Sequence, residues 1–277
     1  MTQTSGAGKG HDFLARIADD RRRRVAQMQA EKPLHELRAQ LPHTRPAGRL
    51  ERALRRGGPD GAIRMLCEVK RASPSKGMLN ENVDPIATAM LYERGGAAAV
   101  SLVTEPDHFR GDPRWMNDVR PHVSLPLLLK DFVIDSYQIL DAAVRGADAV
   151  LLLAALLSEV ETQRYLNEAR LLGLDALVEV HDAEELYRSL RAGATIVGIN
   201  NRSLHTFEVD LETSVRLLPE IPSHVTAVAE SGLSRPEDLL RLRATRCDAV
   251  LMGEVFMTSA DPAATLATLA AAARGTA

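Results

Sequence analysis

Gly146-Ala147-Asp148-Ala149-Val150-Leu151-Leu152-Leu153 is the stretch on which the fold turns. A β-rich apolar run, 149–153, follows a glycine and two further lead-in residues. The glycine suits the left-handed end of a preceding helix, and small residues let the chain bend into a sheet. Gly96-Ala97-Ala98-Ala99-Val100 leads in the same way into 98–103, and Gly193-Ala194-Thr195-Ile196-Val197 into 195–200. Cys247-Asp248-Ala249-Val250 is a degenerate copy before 249–252. Further apolar runs occupy 65–70, 125–130, 176–180 and 226–230, with helical stretches between. Short strands alternating with helices imply βαβ units and a parallel sheet. Eight such units leave no sequence for a second sheet, and the lead-in echoes at every even-numbered run. The expected class is therefore α/β, a (β/α)8 TIM barrel with an N-terminal helical extension. An open doubly wound sheet would more often carry Gly-x-Gly-x-x-Gly after its first strand. Here that turn reads Arg71-Ala72-Ser73-Pro74-Ser75-Lys76-Gly77.

The 277 residues carry 34 Lys and Arg against 37 Asp and Glu, a formal charge of −3. Such a balance supplies no overall field for nucleic acid. With 45% hydrophobic and 26% charged residues, the composition is that of a globular chain and not of a disordered one. Cys67 and Cys247 each lie inside an apolar stretch, which argues against a disulfide framework and for a reducing, cytoplasmic setting. No signal-peptide pattern opens the chain. The longest apolar run, 149–157, falls well short of the ~20 residues of a membrane span, so no membrane partner is expected.

Residues 12–56 hold twelve Lys and Arg against six Asp and Glu, including Arg21-Arg22-Arg23-Arg24. Phe13, Leu14, Ile17, Val25 and Met28 recur around the arginines on a roughly helical period. The run therefore reads as a solvated helix face, not as a nucleic-acid or membrane patch. Pro33, Pro42 and Pro46 divide the segment into short helices. Residues 1–10 are expected to be disordered, 11–57 to form the extension, and 58–277 to form a single catalytic barrel.

In such barrels the active site lies at the C-terminal ends of the strands. The polar residues at the ends of these apolar runs are concentrated. Glu68 and Lys70, two apart, project from one face of the first strand. The third run ends at Lys130, followed by Asp131 and Phe132; the fifth contains Glu179; the sixth ends at Asn200, followed by Asn201 and Arg202; the seventh ends at Glu230. A charge inside an apolar strand is costly unless paired. One could be a structural ion pair, but a set across five strands describes a bowl in which ammonium and carboxylate groups tune one another as acid and base. Glycine turns follow the last two strands, at Ser231-Gly232 and Gly253-Glu254. These are the loops where barrels hold phosphate through backbone N–H groups, and Ser73 and Ser75 could add hydroxyls. A phosphorylated small-molecule substrate follows. The eight histidines are scattered, without ligand spacing, so no metal is expected; no nucleotide motif is present.

The chain resembles indole-3-glycerol phosphate synthases from about residue 12 to the final helix. The most specific stretch is Cys67-Glu68-Val69-Lys70-Arg71-Ala72-Ser73-Pro74-Ser75-Lys76-Gly77, followed by Pro126-Leu127-Leu128-Leu129-Lys130-Asp131-Phe132. Leu177-Val178-Glu179-Val180-His181, Gly198-Ile199-Asn200-Asn201-Arg202 and Ala229-Glu230-Ser231-Gly232 match as well. The resemblance implies a carboxy-lyase of tryptophan biosynthesis. It closes the ring of 1-(2-carboxyphenylamino)-1-deoxyribulose 5-phosphate to indole-3-glycerol phosphate, with loss of CO2 and water and without a cofactor. It implies Lys130 as general acid, with Glu68, Lys70 and Glu179 sharing the dehydration, and Asn200 and Glu230 orienting groups. It further implies Ser73, Ser231, Gly232, Gly253 and Glu254 at the phosphate, Arg202 at the substrate carboxylate, and Phe109 and Phe132 around the aryl ring. One departure stands out: His108 occupies a position where the family often has an aromatic residue, in Thr104-Glu105-Pro106-Asp107-His108-Phe109-Arg110-Gly111. The residues alone also admit a Schiff-base aldolase, a phosphoribosylanthranilate isomerase or a non-catalytic barrel. An isomerase does not explain the Glu68/Lys70 pair beside Ser73-Pro74-Ser75, and a scaffold does not need ionisable groups inside its bowl.

Overall fold

The computed structural model describes residues 7–41, 46–57, 61–204 and 206–276, with side chains from residue 13 onward. Eight parallel strands close a barrel in sequential order. They are β1 (Arg64–Val69), β2 (Ala99–Val103), β3 (Leu127–Lys130), β4 (Ala149–Leu153), β5 (Asp175–Val180), β6 (Ile196–Asn200), β7 (Thr226–Glu230) and β8 (Ala249–Met252). β8 pairs with β1, Met65 opposite Val250. The fourth, seventh and eighth strands coincide with the expected runs. The third begins at Leu127 and not at 125, because Pro126 has no N–H to give the ladder. Gly96, Gly146 and Gly193, the lead-in glycines, adopt φ of +84°, +91° and +92°, the left-handed conformation expected of them.

Three helices precede the barrel: α1 (Ala7–Glu31), α2 (Leu34–Arg38) and α3 (Arg49–Leu54). Those around it are α4 (Pro85–Arg94), α5 (Trp115–Val119), α6 (Ser136–Val144), α7 (Glu159–Leu171), α8 (Ala183–Arg191), α9 (Glu212–Leu217), α10 (Pro236–Arg243), α11 (Glu254–Met257) and α12 (Pro262–Arg274). Asp84, Asp135, Ser158, Asp182 and Asp261 accept the first free N–H groups of their helices, which fixes where each helix starts.

Strand residues two apart point the same way, so the barrel interior is built in layers. Leu66, Leu128, Leu177 and Val228, from the odd-numbered strands, form one cluster with Ala99, Ala149, Ile196 and Ala249 from the even-numbered strands. Leu50 and Leu54 of α3 join this cluster, fully buried, and stopper the N-terminal mouth. α3 is pinned there by Asp175, whose carboxylate accepts from Leu50 N (2.7 Å) and Glu51 N (3.1 Å).

α1 lies at the other end, and two details differ from expectation. The helix is a single rod from Ala7, so residues 7–10 are helical; residues 1–6 lie outside the described residues, as do Pro42 and 43–45. The arginine run is not uniformly solvated. Arg22 and Arg23 face water, but Arg21 is 4% exposed and holds Asp131 at 3.0 Å, and Arg24 holds Asp107. The reason is the helical period itself: Leu14, Ile17, Arg21 and Val25 share one buried stripe, so the first arginine of the four must face the barrel.

Candidate active site

One layer above Leu66, Leu128, Leu177 and Val228, the same four odd-numbered strands carry Glu68, Lys130, Glu179 and Glu230. A barrel layer takes its four side chains from alternate strands, and here all four are ionisable. With Lys70 and Asn200 they line a cavity of about 920 Å³. Lys130 Nζ lies 2.8 Å from Glu179 Oε2 and 3.3 Å from Glu230 Oε2. Asn200 Nδ2 donates to Glu179 Oε1 at 2.7 Å. Across the cup Lys70 Nζ meets Glu68 Oε1 at 2.8 Å. Glu68 Oε2 and Glu230 Oε1 are buried without a hydrogen-bond partner among the described residues. Most buried acceptors in folded proteins have a partner, which sets these two oxygens apart. A Cβ on Gly198 would overlap Glu230 Oε1, so the glycine in β6 makes the room that Glu230 occupies.

Burial and opposite charge compete at each group. Burial pulls the Lys130 ammonium toward neutrality, but Glu179, Glu230 and Glu68 more than reverse this and raise its pKa. Burial pushes Glu179 up, while Lys130 and His181 pull it below the ordinary carboxylate range. Glu230 is pushed up to about 8, by burial first and then by Glu179 and Glu68. The two carboxyls that share Lys130 are thus driven in opposite directions, Glu179 toward the ionised form and Glu230 toward the protonated one, since close carboxylates resist ionising together.

The rim carries the candidate phosphate groups. Ser73, Ser231, Gly232, Gly253 and Glu254 all line the cavity. Ser231 and Gly232 are consecutive left-handed residues, at φ of +66° and +78°. For serine that conformation costs roughly 1–2 kcal/mol, and such strain collects at functional sites. Arg202 spans the rim, bonding Ser75 Oγ (3.0 Å) and Glu254 Oε2 (3.3 Å). Phe109 and Phe132 stand with ring centroids 5.9 Å apart. All fourteen residues singled out from the sequence line this one cavity.

The structure adds residues that the sequence pattern did not single out. Four of the chain's five phenylalanines line the cavity, including Phe13 of α1 and Phe207 after β6, whose rings meet edge-on at 5.4 Å. In a chain with 4% aromatic residues their rarity was an available signal. His108 is not among the residues lining the cavity; its Nε2 lies 3.0 Å from Asp20 of α1 and its ring is edge-on to Phe13. Phe13, against which His108 packs, lines the cavity in its stead. Glu105, 1% exposed, accepts from the N–H groups of Asp107, His108 and Phe109 and so holds the loop that presents Phe109.

The family model for indole-3-glycerol phosphate synthase matches residues 14–269, a span that includes all fourteen of the residues singled out from the sequence. The chain belongs to the indole-3-glycerol phosphate synthase family. An indole-3-glycerol phosphate synthase of Carboxydothermus hydrogenoformans is 42% identical over 264 residues, covering 94% of this chain and 100% of that protein. Indole-3-glycerol phosphate synthase 1 of Streptomyces coelicolor is 43% identical, over 94% of this chain and 95% of its own. Among solved structures, 3-hexulose-6-phosphate synthase from Salmonella typhimurium superposes with a TM-score of 0.62 at 13% identity, over 78% of this chain and 100% of its own. That likeness concerns the barrel alone. Membership of the synthase family makes this chain a carboxy-lyase of tryptophan biosynthesis. Among the described residues no helix is long and apolar enough to cross a membrane.

Proposed function

We propose that the cup converts 1-(2-carboxyphenylamino)-1-deoxyribulose 5-phosphate to indole-3-glycerol phosphate, CO2 and water, with Lys130 as the acid of ring closure. The observation that carries this is the fully ionisable layer of Glu68, Lys130, Glu179 and Glu230 beneath an aromatic and glycine-lined rim. The phosphate anchors on Ser73, Ser231 and the N–H groups of Gly232, Gly253 and Glu254, where the backbone comes close. The aryl ring packs against Phe109 and Phe132, and Arg202 exchanges Glu254 for the substrate carboxylate. Holding the ring carbon against the ketone removes much of the barrier.

As the ring carbon attacks, Lys130 gives its proton to the carbonyl oxygen. The protonated Glu230, 3.3 Å away, returns one to the amine. CO2 leaves with its bonding pair going to the ring, which restores aromaticity. Dehydration then takes a proton from the ring nitrogen and gives one to the departing hydroxyl. Lys70 faces the cup as the acid; Glu68, with its free Oε2, and Glu179 are the available bases. The nitrogen proton is replaced from the adjacent methylene. Two protons thus reach the departing oxygen, one returns to the protein, and the difference comes from solvent.

The test is purified protein with the arylaminodeoxyribulose phosphate, followed by indole absorbance. Indole formation that survives borohydride treatment, without covalent capture of substrate on Lys130, supports acid catalysis. A trapped adduct would point to Schiff-base chemistry instead.

A further inference from the structure

Beside the cup lies a second group of buried ionisable side chains that the mechanism does not use. His181 follows β5 directly, two residues beyond Glu179, and its side chain is 13% exposed. Its Nδ1 lies 3.1 Å from Glu185 Oε2 on α8, and the same oxygen accepts from the His181 backbone N–H at 2.8 Å. Its Nε2 is buried, without a hydrogen-bond partner among the described residues, and sits 3.5 Å from Glu179 Oε1. Glu185 is itself placed by Asp182, which accepts from the Glu185 N–H at the start of α8. The result is a row running from α8 into the cup: carboxylate, imidazole, carboxylate, ammonium.

We propose that His181 is a positioning residue for Glu179: held by Glu185, its imidazolium fixes Glu179 as the ionised member of the Glu179/Glu230 pair and leaves their shared proton on Glu230. This rests on the reading above, in which Lys130 needs an ionised neighbour to keep it charged and a protonated one to resupply it. The geometry makes the two carboxylates unequal. Glu179 has Lys130 on one oxygen, and Asn200 and His181 on the other. Glu230 has Lys130 on one oxygen, and its other oxygen has no partner among the described residues. Without the imidazolium the pair moves toward symmetry, and part of the time the proton resides on Glu179, where it weakens the hold on Lys130. The groups facing His181 are Glu179 on its own strand and Glu185 from α8; Asn200 of β6 and Lys130 of β3 reach it through the Glu179 carboxylate. Burial lowers the imidazole pKa, but Glu179 and Glu185 together raise it to about 9, so the cation persists at neutral pH.

Three measurements test this on the full-length protein. NMR titration of the wild-type imidazole, identified by its loss in His181→Asn, is expected to show a charged ring above neutral pH. Titration at the ordinary histidine value overturns the proposal and leaves the synthase reading intact. His181→Asn is expected to lower kcat by about tenfold with KM nearly unchanged, and to alter the alkaline limb of the kcat profile. Glu185→Gln keeps the geometry but removes the anion, and is expected to move that limb to lower pH. Folded variants with the wild-type pH profile, or a loss confined to KM and thermal stability, mean that His181 is only packing. Absence of indole formation by the wild-type protein would instead sink the assignment of the reaction itself.

Discussion

Both mouths of this barrel bury acidic side chains beside basic ones, yet they use them in opposite ways. At the N-terminal mouth Asp148 is 5% exposed, and its oxygens meet Arg49 (2.6 Å), Arg120 (2.8 Å) and the Leu127 N–H (2.9 Å). Asp175 pins α3, and Asp248 takes the N–H of Ala227 at 2.9 Å. These acids tie backbone to backbone over an apolar plug. At the C-terminal mouth Glu68 and Glu230 each keep a buried oxygen without a partner among the described residues, and three carboxylates crowd Lys130. A satisfied buried charge holds structure; an incompletely satisfied one stores a capacity to exchange protons. Saturation of the hydrogen bonds, more than burial or charge, separates the two ends.

The contrast can be broken most forcefully at Lys130. Lys130→Met is expected to lower kcat by about 10²–10⁴-fold, the span of general acid catalysis, with KM little changed. A variant that keeps its turnover sinks the acid assignment. Asp148→Ala strands Arg49 and Arg120 at the other mouth. It is expected to cost about 3–5 kcal/mol in thermal or denaturant unfolding, with the kcat of the folded fraction unchanged; a selective loss of kcat would erase the distinction between the two ends.

Glu230→Gln sharpens the comparison through pH. The folded-state pKa of Glu230 is raised to about 8, above that of an unfolded carboxylate. Its contribution to stability is therefore full below the unfolded value and lost as pH rises through about 8. Glutamine keeps the shape without titrating. The melting temperature of the variant relative to wild type is expected to climb from about pH 5 to about pH 9 while activity falls. A constant offset would mean that Glu230 is ionised throughout. The smallest effect belongs to the solvated arginines. Arg22 pairs with Asp19 at 2.6 Å, both more than half exposed, and Arg22→Ala is expected to change stability by under ~1 kcal/mol.

Local chemistry makes the barrel legible along the chain itself. Alternating apolar runs, left-handed glycines and a proline that cannot join a ladder are all dictated by residues close in sequence, so strand positions follow to within two residues. The odd-numbered strands also announce their charges, because an ionisable residue inside an apolar run is conspicuous wherever it is buried. What no linear pattern could state is which of those charges would find enough partners. Glu179 gains Lys130 and Asn200 from other strands and His181 from the turn that ends its own, while Glu230 keeps one oxygen without a partner among the described residues, above Gly198. Arg21 turns inward to Asp131, and Phe13 crosses the mouth to Phe207. Closing the barrel sets those distances, and with them which acid is ionised, which holds its proton and where the substrate's ring can lie, because electrostatic energies depend on separation and burial in space, not along the chain.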